Sequence, residues 1–146
     1  MKLNTLMTTA LLSATLSVTV ANAATVERFV DIEGKTYKLT EVRKNNYDYY
    51  SAQLKNHLAE LKSTQDFGQF QTLVNEASQL AKNAKRTVKE SMIDRYEGQD
   101  NAREMDTMIV RSGQINRLIS SLEKSSQQND LTTAKQAILF KVAGYL

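Results

Sequence analysis

The sequence predicts an all-α protein: an antiparallel up-down-up-down four-helix bundle with a short N-terminal extension. Three observations carry this. Proline is absent from the 146 residues and glycine occurs only five times, so little interrupts long helices. From Thr40 onward apolar residues recur at three- and four-residue intervals, the signature of one helical face. Three polar breaks, each followed by a capping residue, divide that run into four segments, and short connections between helices make neighbours antiparallel.

The first 23 residues read as a secretory signal. Lys2 supplies a basic start, Leu6 to Val20 an apolar region diluted with Thr and Ser, and Ala21-Asn22-Ala23 a small-x-small cleavage site. The apolar stretch is too short and polar for a membrane span, and the style of the cleavage site suggests the periplasm. Residues 24–40 form the extension. There "RFVDIEGKTYKL" mixes Val, Ile, Thr and Tyr around Glu33-Gly34, which fits a β-hairpin with a two-residue turn. An extended leader competes with that reading.

The helical region spans 41–146. Its first stripe is Tyr47, Tyr50, Leu54, Leu58 and Leu61, ended by Ser63-Thr64-Gln65. Asp66 with Gln69 makes a capping box for the second helix. That helix carries Phe67, Phe70, Leu73, Val74, Ala77, Leu80, Ala81, Ala84 and Val88, and its pattern decays through "KESMIDRYEGQD". Asn101 with Glu104 opens the third helix, whose stripe is Met105, Met108, Ser112, Ile115, Ile119 and Leu122. After "KSSQQN", Asp130 caps a fourth helix expected to run from Leu131 to Leu146. Its last ten residues, "AILFKVAGYL", are apolar almost all round. They fill the bundle and a partner surface by self-association, or belong to a helix that ends early.

Composition excludes several functions. With no cysteine there is no disulfide, no acyl-anchor thiol and no C-x-x-C-H haem attachment. One histidine and no cysteine leave no multi-ligand zinc set. The net charge of +3 is too balanced to imply nucleic-acid binding, and Lys and Arg spread along the helices read as solvated faces. Asp94 and Glu97 lie in a connecting stretch with nothing to place them opposite a partner for acid–base work. No phosphate-binding glycine loop or nucleophile triad can be assembled. The sequence does not read as an enzyme.

The helical segments "DFGQFQTLVNEASQLAKNAK" and "EMDTMIVRSGQINRLISSLEK", with the turn "NDLTTAKQA" before the last helix, resemble the cytochrome b562 family of periplasmic four-helix bundles. The resemblance covers about Leu54 to Phe140. It implies a non-covalent b-type haem, electron transfer and a redox partner, with a Met on the first helix and a His near the end of the fourth as axial ligands. The family's Met position falls near Tyr50 or Ser51, and its His position falls beyond Leu146. The ligand pair is therefore missing, and Tyr50 and His57 become the candidate haem-facing residues.

His57, in "KNHLAEL", is the only histidine. It lies about six residues past the family's Met position, roughly 9 Å along a helix. As a ligand it would shift the haem deeper into the bundle. As an ordinary residue it would sit at the core edge, its ring along the Leu stripe. Met105 and Met108 suit core filling, and the Tyr47, Tyr49, Tyr50 cluster suits either a pocket mouth or the core. Two functions follow: a haem-binding electron carrier, or a haemless bundle serving as an interaction or envelope-homeostasis module with an envelope protein partner.

Overall fold

A computed structural model describes residues 15–22, 25–98 and 102–146, with side chains described for 28–39, 41–92 and 106–146. Among the described residues the chain is mostly helical, with four α-helices and a small antiparallel sheet. Strands β1 (Thr15–Asn22), β2 (Thr25–Ile32) and β3 (Lys35–Lys38) pair in sequence order. Helices α1 (Leu39–Ser63), α2 (Phe67–Gly98), α3 (Ala102–Ser126) and α4 (Leu131–Ala137) follow, and a 3₁₀ turn covers Phe140–Tyr145.

The β2–β3 hairpin fulfils the extension's strand pattern. Ile32 pairs with Lys35 across Glu33 and Gly34, and both turn residues have positive φ, 49° and 77°. A type I′ turn needs that at both positions. Gly34 adopts it freely, whereas Glu33 carries the left-handed penalty of a side chain. β1 adds a third strand, Leu16 opposite Val30, drawn from the segment read as an export signal.

One large core joins the helices. Leu54, Leu58 and Leu61 of α1 meet Phe70, Leu73, Val74 and the Ala77, Ala81, Ala84 row of α2, with Ile115, Leu118 and Leu122 of α3. The alanine row lets backbones approach closely. A fully buried Leu such as Leu58 contributes about 1.5–3 kcal/mol. A smaller core beneath the sheet joins Val30, Leu39 and Val42, flanked by Ile32 and Tyr37.

Local detail departs from the sequence pattern in four places. Asp66 caps α2 as expected, its carboxylate accepting from the Gln69 N–H at 2.6 Å. The reciprocal half of the box is absent, because the Gln69 side-chain oxygen takes the Thr64 hydroxyl instead. α2 continues to Gly98, through the stretch where its apolar pattern decays; Lys, Glu, Met and Arg there are good helix formers. On α3 the buried stripe includes Leu118, which the pattern reading omitted, while Ile119 is half-buried.

The fourth helix is the main correction. It ends at Ala137, Ile138 turns extended, and the chain resumes as a 3₁₀ turn. A continuous helix would spread "AILFKVAGYL" over every face. The break instead buries Ile138, Val142 and Leu146 in the core and leaves Leu139 and Tyr145 exposed. The Leu139 N–H freed by the break donates to the Ser121 hydroxyl at 3.2 Å. The Asn101–Glu104 box and the side chains of Asp94, Glu97 and Met105 lie outside the described residues.

Candidate functional site

The candidate residues lie on α1, whose inward positions are Tyr47, Tyr50, Leu54, Leu58 and Leu61, all buried. His57 falls one position off that row, so its side chain is only half-buried, at 20 % exposure. Both ring nitrogens are engaged. Nδ1 lies 2.9 Å from the Gln53 carbonyl, one turn back. A carbonyl only accepts, so Nδ1 carries a proton. Nε2 lies 2.9 Å from Glu76 Oε2 on α2. A ring donating at both nitrogens, the imidazolium, satisfies both acceptors together. Glu76 is more than half exposed, so the bridge contributes little to stability. Its main effect is to point the ring across the α1–α2 seam and away from the core.

Tyr50 sits seven residues earlier and is buried, 3 % exposed. Its ring meets that of Tyr49 edge-on, centroids 5.4 Å apart at 70°, a favourable aromatic geometry. Two helical turns separate it from His57, roughly 10 Å, so the two candidates do not converge. Ser51, the other residue near the expected Met position, donates its hydroxyl to the Asp48 carbonyl at 3.2 Å.

Among the described residues, Tyr50 and His57 do not converge as an axial pair for a haem. The His57 nitrogens are both engaged by Gln53 and Glu76, and Tyr50 belongs to the large buried core cluster. Met92 and Met108 pack against that cluster as partly buried filler. Among the described residues, no group of three or more His, Asp or Glu gathers to hold a metal ion.

No protein-family profile, curated protein or solved structure matches the chain.

Three polar features of this end of the molecule were missed by the pattern reading. The Tyr47 hydroxyl donates to the Leu146 carbonyl at 3.1 Å, and the Arg111 guanidinium lies 5.1 Å from the Tyr47 ring centroid. Burial raises the Tyr47 phenol above its usual value, with Asp48 adding and Arg111 opposing. Arg43 and Glu90 approach at 2.6 Å across the α1–α2 seam. The contact is a charge pair between a largely buried Arg43 side chain and a partly exposed Glu90. Asn46, 1 % exposed, buries both side-chain polar atoms without a protein partner. Each residue breaks the apolar stripe or borders it. A polar residue at an inward helical position was the available signal.

The far end of the fourth segment is held by side chains as well. Ser125, buried on α3, donates to the Ala134 carbonyl at 2.8 Å. Lys135 Nζ donates to the Lys62 carbonyl at 3.1 Å and to the Thr64 carbonyl. These are carbonyls at the α1 C-terminus, which lack intrahelical partners and favour a cation. Asp130 accepts from the Thr133 N–H at 2.8 Å, and that bond lowers its carboxyl below the usual value.

Proposed function

We propose that the chain is an exported, haemless helical-bundle protein that works by binding a partner, without catalysis or electron transfer. The observation carrying this is the engagement of His57 by Gln53 and Glu76, which leaves its only imidazole committed to a structural bridge. The up-down-up-down arrangement belongs to the same reading. Contacts His57–Glu76 and Arg43–Glu90 run in opposite directions along α1 and α2. Contacts Ser125–Ala134 and Ser121–Leu139 do the same for α3 and the last segment. Lys135–Thr64 and Tyr47–Leu146 return that segment antiparallel to α1.

Export to the periplasm rests on the basic start, apolar run and Ala21-Asn22-Ala23 site. Cleavage there would remove β1 and leave the β2–β3 hairpin on the helices. Among the described residues, no helix is long and apolar enough to cross a membrane. Self-association through "AILFKVAGYL" loses much of its motive, because Ile138, Val142 and Leu146 are buried within the chain itself.

Titrating the purified protein with haemin tests the reading. The expected result is no Soret shift at one equivalent. A stoichiometric shift, abolished by His57→Ala, would restore the electron-carrier function that the cytochrome b562 resemblance implies.

A further inference from the structure

α2 carries Lys82, Lys85, Arg86 and Lys89. Their spacing of i, i+3, i+4 and i+7 places them on one helical face, over roughly 10 Å of axis. Lys82, Arg86 and Lys89 are exposed and Lys85 is half-buried. Among the described residues none of the four pairs with an acid. The nearest acids of the same helix are committed elsewhere, Glu76 to His57 and Glu90 to Arg43. Asp94 and Glu97 follow further along, with side chains outside the described residues. Like charges at these spacings repel and destabilise a helix. The small net charge of the chain conceals this local concentration.

We infer that this stripe docks the protein on an anionic phospholipid surface. The inference rests on the reading of the chain as a binding module and names its partner. Three features favour lipid headgroups. Three of the four cations are Lys, a mobile point charge suited to a diffuse anionic surface, where bidentate recognition would favour Arg. No aromatic side chain interleaves the stripe, as base stacking in single-stranded nucleic acid would require. α3, which packs on α2, exposes the large apolar side chains Ile109 and Val110, each at 53 %, and exposed apolar side chains together with Lys and Arg are the usual composition of an interfacial contact. The binding is peripheral and electrostatic, so it weakens within a Debye length as salt rises.

The test is flotation of the purified protein with vesicles of equimolar phosphatidylglycerol and phosphatidylcholine, against pure phosphatidylcholine. Binding is expected only to the anionic vesicles, and is expected to vanish at about 0.5 M salt. The triple variant Lys82→Ser, Arg86→Ser, Lys89→Ser should lose at least tenfold in affinity, since each cation near an anionic surface contributes roughly fivefold. A matched variant, Lys55→Ser, Lys62→Ser, Lys124→Ser, removes the same charge from exposed sites elsewhere and should stay within about threefold. Circular dichroism checks that both variants fold. Equal losses in the two variants would mean that net charge alone drives binding, and would overturn the assignment. So would absence of binding to anionic vesicles, or tighter binding to RNA or polyglutamate than to the vesicles. None of these outcomes involves haem, so they leave the haemin result to judge the binding-module reading separately.

Discussion

The two ends of the α1–α2 hairpin are built differently. At the loop end, Leu58, Leu61, Phe70 and Leu73 belong to the buried apolar core, and Asp66 and Lys135 satisfy backbone groups around the turn. At the sheet end, Asn46, Tyr47 and the Arg43–Glu90 pair enter the interior beside Val42 and Val88. The loop end holds by apolar burial with few polar demands. The sheet end joins two cores across a seam where polar groups are only partly satisfied. Stability should therefore concentrate near the loop and α3, and adjustment should concentrate at the seam.

The comparison breaks first if core truncation is cheap. Ile115→Ala and Leu73→Ala should each cost about 2–5 kcal/mol, read by urea denaturation, with Ile115 the costlier because it is fully buried. A cost under about 0.5 kcal/mol, typical of a surface change, would mean that these stripes do not face the core.

Asn46→Leu sharpens the contrast with an opposite sign. Replacing a buried, unpartnered amide with an apolar group of similar size should stabilise by about 1–3 kcal/mol. A loss of that size would show that Asn46 is satisfied in solution. Glu90→Ala should cost about 1–2 kcal/mol, below the value for a fully buried pair because Glu90 keeps 32 % side-chain exposure.

Tyr47→Phe should cost about 0.5–1.5 kcal/mol through the lost bond to Leu146. The raised Tyr47 value makes its contribution complete below the ordinary phenol value of 10.0. That contribution is lost as pH rises through the folded value. Wild-type stability should thus fall more steeply than that of Tyr47→Phe at alkaline pH. Parallel pH curves would place the phenol in solvent. The smallest effect is expected at the hairpin. Glu33→Asn should stabilise by about 0.5 kcal/mol, because Asn tolerates the positive φ of Glu33 and Asn-Gly suits this turn. An unchanged melting temperature would mean that the hairpin opens before the rest unfolds.

The same division explains what the sequence revealed. Where burial alone dictates position, as for Leu54, Phe70, Ala81 and Ile115, periodicity identifies the face. The Glu33-Gly34 turn and the Asp66 and Asp130 caps were legible because their chemistry is local. The break after Ala137 was not, because it depends on Ser121 supplying a hydroxyl from eighteen residues away. The Arg43–Glu90 pair was hidden for the same reason: a partner on another helix has no spacing signal. His57 could be placed at the core edge from its offset to the Leu row, but its carboxylate partner Glu76 required the fold.

The commitment of His57 is the claim on which the functional reading stands, and imidazole ¹⁵N NMR tests it directly. With one equivalent of haemin present, the account predicts a protonated, hydrogen-bonded Nδ1 and ring resonances unchanged by the addition. Paramagnetic shift or loss of the His57 ring signals, with the rest of the spectrum retained, would contradict it and make His57 a haem ligand.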